Sequence, residues 1–168
     1  MADFNLEMTR TIPQLRRYAR ALVNNAETAD DLVQDCLERA CSRKKMWDES
    51  KPIRPWLFTI LHNIYANEAR RFHRTPALVS IEQMDESAMS TKGIDLSLKD
   101  LRKGLDMLSE EHRNILLLVG LEQLSYKEAA EVLDIPVGTV MSRLTRARKN
   151  LHGFLNEPST TSSIRRVK

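Results

Sequence analysis

The stretch Leu124-Ser-Tyr-Lys-Glu-Ala-Ala-Glu-Val-Leu-Asp-Ile-Pro-Val-Gly-Thr-Val-Met-Ser-Arg-Leu-Thr-Arg-Ala-Arg148 constrains the fold more than any other part of the chain. Ser125 and Glu128 have the spacing of a capping box, so a helix starts there. Ala129, Ala130 and Leu133 give that helix one apolar side. Asp134-Ile135-Pro136 then ends it, because proline has no amide to donate and pushes its predecessor out of helical geometry. A second helix follows, with Val140, Leu144, Ala147 and Leu151 recurring at helical spacing and facing inward. Ser142, Arg143, Arg146 and Lys149 project elsewhere. Two helices joined by so short a turn form a helix-turn-helix, which lays its second helix in the DNA major groove. DNA is therefore the leading partner.

The remainder reads as helical too. Glycine occurs five times, and Leu, Ala, Arg, Glu and Lys dominate, which favours an all-α fold. Ile12, Leu15, Ala19 and Leu22 make a first amphipathic helix, and Asn24-Asn25 ends it. A second helix from about Ala29 to Lys45 turns Leu32, Val33, Cys36, Leu37 and Ala40 inward. Pro52 and Pro55 stiffen a loop from Asp48 to Pro55. A third helix starts near Pro55, since proline suits the first turn, and buries Trp56, Leu57, Ile60, Leu61 and Ile64. From Thr75 to about Ile94 the periodicity fails, and Pro76, serines, acids and Gly93 read as a flexible linker between two small helical domains. Leu98, Leu101, Leu105 and Leu108 open the second domain. Ser109 caps the next helix, which carries Ile115 to Leu121. The tail after Asn156 reads as disordered.

The net charge of +3 decides little. Its distribution says more: between Asp134 and Lys168 Lys and Arg outnumber Asp and Glu by seven to two, whereas Glu82 to Asp100 holds five acids against two lysines. Cys36 and Cys41 lie at a spacing that fits neither a redox pair nor a zinc site, and both read as structural. Met1 to Glu7 lacks the basic start and apolar core of a signal peptide, and no apolar run approaches a membrane span. A cytoplasmic protein without membrane insertion is expected. No phosphate-binding glycine loop, metal ligand set or nucleophile motif is present, so neither an enzyme nor a cofactor or metal site is expected.

Two helix faces stand out. Opposite the apolar stripe of the third helix lie His62, Asn63, Asn67, Arg70, Arg71 and Arg74. Asparagine can pair with base edges and arginine can grip phosphates or guanine, and the stiff loop before the helix could pocket an unstacked base. An ordinary wet helix with basic residues near its C-terminus presents the same pattern. On the second helix Asp31, Gln34, Asp35 and Glu38 share an outer face. Phosphates repel such a face, which leaves a protein partner or plain solvent.

Asp31-Leu-Val-Gln-Asp35, Trp56-Leu-Phe-Thr-Ile-Leu-His-Asn63, and Ser125-Tyr-Lys-Glu-Ala-Ala through Pro136-Val-Gly-Thr-Val140 with Ser142-Arg143 occur in order and spacing that resemble the bacterial extracytoplasmic-function (ECF) sigma factors of the sigma-70 superfamily. The resemblance spans about residues 9 to 155. It implies sigma region 2 at 9–74, a linker at 75–96, sigma region 4 at 97–155, and a tail at 156–168. It further implies a dissociable specificity subunit of RNA polymerase. Asp31, Gln34, Asp35 and Glu38 would dock on the clamp helices of the largest core subunit, and the polymerase flap would be a second contact. The loop from Asp48 to Arg54 with Trp56 and Asn63 would melt and read the −10 element, and Asn67, Arg70, Arg71 and Arg74 would hold DNA nearby. Thr139, Met141, Ser142, Arg143, Thr145, Arg146 and Lys149 would meet the −35 element. An anti-sigma factor would hold the protein inactive. Met141 departs from the Arg or Lys common at that place, and methionine cannot grip guanine at two points. Two other readings stand beside this one. A stand-alone helix-turn-helix regulator would need a dimer surface to match a palindrome. A sigma mimic would sequester an antagonist instead of initiating.

Overall fold

A computed structural model describes residues 3–74 and 95–156, all helices and connecting turns, with no strand among the described residues. Asp3 caps α1 (Phe4–Val23) by accepting from the Asn5 amide. Its start lies before the Thr9 boundary expected from sequence, because Phe4 is itself a core residue, tilted against Trp47 at 5.7 Å and edge-on to Trp56 at 6.3 Å. Asn24 ends α1 in the left-handed region with φ 55°, and Asn25 caps α2 (Ala26–Ser42) by accepting from the Thr28 amide. Asparagine suits both positions because it tolerates that backbone and its side chain bonds locally. One 3₁₀ turn, Lys44–Met46, follows.

α3 spans Ile53–Arg74 and starts ahead of the expected Pro55. Pro55 sits in the first turn, where no amide has an intrahelical partner and its missing N–H costs nothing. The expected −10 loop is thus shorter than 48–54, since Ile53 and Arg54 are helical. Helices α1, α2 and α3 pack on one another around fully buried Leu15, Tyr18, Cys36, Leu57, Phe58 and Leu61. Tyr18 meets Phe58 edge-on at 5.3 Å.

The second half comprises α4 (Asp95–Met107), α5 (Glu110–Leu116), α6 (Tyr126–Leu133) and α7 (Val137–Asn156). The capping box of Ser125 and Glu128 forms, and Asp134 ends α6 at φ 53°. Val140, Leu144 and Ala147 bury α7 against α5 and α6, while Leu98 and Leu101 of α4 stay exposed. α5 does not continue to Leu121 as a regular helix. Leu117–Leu121 form a π turn instead. The linker lies outside the described residues up to Ile94, as does the tail beyond Asn156.

The two halves dock. α3 packs on α6, the π turn packs on α1, and one apolar cluster runs through both halves. Tyr65 accepts from Arg113 at 3.0 Å and Asp106 from Asn24 at 3.0 Å across the junction.

Candidate nucleic-acid interface

On α7 the inward stripe leaves Met141, Ser142, Thr145, Arg146, Arg148 and Lys149 exposed and Thr139 and Arg143 partly buried. Ser142 donates to the Thr139 carbonyl at 3.1 Å, and Thr145 to that of Met141 at 3.0 Å. With those hydroxyl protons engaged, Thr145 offers a groove its methyl and an acceptor, and Met141 offers an apolar tip suited to a thymine methyl. Arg143 is already held, its guanidinium 3.3 Å from the Glu111 carboxylate of α5. Arg146, Arg148 and Lys149 keep their charge at the surface. Arg148 was not singled out from sequence, although it lies seven residues, about two turns, beyond Met141 on the same face.

The residues expected to meet the −10 element divide between two places. Trp56 and Asn63 line a small cavity of about 140 Å³ together with Arg39, Arg43, Met46, Thr59 and Ile60. Its aromatic wall, amide and two guanidiniums suit one unstacked base and its flanking phosphates. The end of α2 therefore contributes Arg39 and Arg43, and the 3₁₀ turn contributes Met46. These were missed in the sequence because they precede the loop and no periodic pattern links them to α3. Asn67 and Arg71 lie exposed on α3. The side chain of Arg74 lies outside the described residues.

Arg70 and His62 instead line a second cavity, of about 300 Å³, between the halves, with Glu110, Glu111, Asn114 and Arg143. His62 does not join the Asn63 face. It stands 3.4 Å from the Tyr18 hydroxyl, and burial, with help from the Arg70 charge, lowers its pKa to about 4. It is neutral at ordinary pH and contributes no charge to a phosphate.

Asp31, Gln34, Asp35 and Glu38 are all exposed on α2, with Gln34 donating to Glu38 at 3.2 Å. Among the described residues no group of His, Cys, Asp and Glu could hold a metal ion, and no helix is long and apolar enough to cross a membrane. Cys36 is buried and Cys41 exposed.

Residues 8–62 match the family model described as the sigma2 domain of PhyR, and residues 98–151 match sigma-70, region 4. The chain is 34% identical to the ECF RNA polymerase sigma factor EcfG of Rhodopseudomonas palustris over 89% of its length and 83% of that protein. It is 33% identical to the ECF RNA polymerase sigma factor SigL of Mycobacterium tuberculosis over 88% of its length and 85% of that protein. A solved structure of the sigma factor RpoE bound to the anti-sigma factor NepR, from Bartonella quintana, superposes with a TM-score of 0.78 at 31% identity, covering 92% of this chain and 98% of that one.

Proposed function

The chain belongs to the ECF RNA polymerase sigma factors, and from that premise we propose how its own residues divide the work of promoter recognition. The α2 face of Asp31, Gln34, Asp35 and Glu38 docks on the clamp helices of the core polymerase, and the flap receives the second half. α7 enters the major groove at the −35 element, with Arg146 and Lys149 on base edges or phosphates and Met141 and Thr145 making apolar or acceptor contacts. Trp56, Asn63, Arg39 and Arg43 take an unpaired base of the −10 element and its phosphates. Two weak readers on one chain gain effective concentration once both engage.

The observation that carries this reading is the presence of two unlike basic surfaces on separate halves. One is a convex helix shaped for a duplex, and the other is an aromatic-walled cavity sized for a single base. An anti-sigma factor is the natural antagonist, as NepR is seen bound to RpoE. The cell interior, where polymerase works, is the corresponding location.

The test is to mix the full chain with sigma-free core polymerase and a promoter library. Initiation from a shared −35/−10 pair supports the assignment and supplies the sequence read. Binding to duplex DNA without any engagement of core would overturn it. A second reading, that the chain mimics a sigma factor and sequesters an antagonist, is favoured by one observation: the first half matches the sigma2 model of PhyR. Binding to core without initiation from any library member would favour that reading.

A further inference from the structure

Glu122 is a charged residue with 1% of its surface exposed, and the groups that satisfy its carboxylate come from the other half of the protein. Arg17 of α1 donates through Nε to Oε1 at 2.8 Å and through a terminal nitrogen to Oε2 at 2.9 Å. Arg54 of α3 lies 3.5 Å from Oε2 and also donates to the Glu122 carbonyl. A local device presents this side chain. The π turn at Leu117–Leu121 closes with the Glu122 amide on the Leu117 carbonyl at 2.9 Å, and Gln123 follows at φ 54°. Both conformations are uncommon for such residues.

The docked arrangement has a consequence for DNA. Arg70 and Arg143, which the family resemblance would put at opposite promoter elements, line the same cavity of about 300 Å³. Elements centred about 25 base pairs apart lie on the order of 85 Å apart in B-form DNA, at 3.4 Å per base pair. The docked chain cannot span them. The acidic α2 face remains open to a partner in the same arrangement.

We propose that Glu122, held by Arg17 and Arg54, is an internal latch that holds the two halves of the free chain together, in an arrangement unable to read both promoter elements. The promoter consequence rests on the sigma-factor reading; the closed state does not. A carboxylate buried by its partners returns to water when they part, so this contact weighs on the opening equilibrium beside the shared apolar cluster and the Arg113–Tyr65 and Asn24–Asp106 contacts. Weakening it removes no apolar side chain from either half, since both partners are charged residues outside the apolar cluster.

The experiment uses the free full-length chain. Cys41 is exposed and accepts a dye, whereas Cys36 is buried with its thiol pushed up to about 12 and does not. A second dye goes on His152→Cys, an exposed position of α7, and single-molecule energy transfer reads the separation. The unsubstituted latch should give one short-distance population. Arg17→Ala, and separately Glu122→Gln, should each raise the ratio of long- to short-distance molecules by roughly 5- to 30-fold, because one partner of a buried pair is lost. Added core polymerase should produce the long-distance state in all of them. Either of two outcomes overturns the latch: a free chain already in the long-distance state, or both variants keeping the short distance with unchanged helicity. Failure to initiate transcription with core, alongside the expected distance changes, would sink the sigma reading and leave the latch standing.

Discussion

Arg17 and Glu122 stand 105 residues apart in the chain and form a two-point ion pair at 2.8 and 2.9 Å. The pair is uneven, with the Arg17 side chain 52% exposed and that of Glu122 fully buried. Fork-to-carboxylate pairing of this kind is among the stronger polar contacts, while water around Arg17 screens part of it. Arg17→Ala should therefore destabilise the docked chain by about 1–2 kcal/mol, below the cost of breaking a fully buried pair. Urea unfolding checks this. A broadened transition with a lower slope would show the halves parting first, and an unchanged curve would show that the apolar cluster alone holds them.

His62 sets a pH dependence. Its folded pKa, about 4, lies below the ordinary 6.5, so the unfolded chain binds the proton more readily. The stability this histidine contributes is complete above about 6.5 and is lost as pH falls toward about 4. Unfolding free energy measured across that window should decline, and His62→Gln should flatten the decline. An equal slope in both proteins would mean that carboxylates carry it.

The two thiols should differ sharply. Burial raises the Cys36 thiol to about 12, and its proton points to the Leu57 carbonyl at 3.4 Å, whereas Cys41 is exposed. Reactivity follows the thiolate fraction and access. Iodoacetamide at neutral pH should modify Cys41 alone in the folded protein and both thiols in urea. Rapid double labelling without denaturant would place Cys36 outside the core.

Ser125 tests how local the helix-turn-helix is. Its hydroxyl accepts from the Glu128 amide at 3.1 Å while the Glu128 carboxylate accepts from the Ser125 amide at 2.8 Å. Ser125→Ala should cost about 1 kcal/mol of stability, and thermal unfolding of the full chain measures it. This box was legible in the sequence because both partners sit within one turn, and the inward stripe of α7 was legible because 3.6-residue periodicity is a local property. Glu122 was not legible. It follows an apolar run, and nothing nearby says that it is buried, since its partners Arg17 and Arg54 are distant in sequence. The Arg39 and Arg43 wall of the base-sized cavity escaped for the same reason, as did the π turn, whose residues Leu117 to Leu121 read as a plain helix.

Among the arginines of α7, Arg146 and Arg143 should behave differently. Arg146 is exposed and has no ion pair among the described residues, so its guanidinium can meet DNA at no internal loss. Arg143 must first leave the Glu111 carboxylate, 3.3 Å away, and part of its contact energy goes into that exchange. In the holoenzyme, Arg146→Ala should weaken promoter binding by about 1–3 kcal/mol if the lost contact is to a base, and should lower the salt slope by about one if it is to a phosphate. Arg143→Ala should cost less, and Glu111→Ala should tighten binding modestly by freeing Arg143. Anisotropy titrations over a salt series separate these outcomes. Unchanged affinity in both arginine variants would remove α7 from the major groove. A loss from Arg143→Ala equal to that from Arg146→Ala, with no gain from Glu111→Ala, would mean that Arg143 leaves Glu111 without penalty on the promoter.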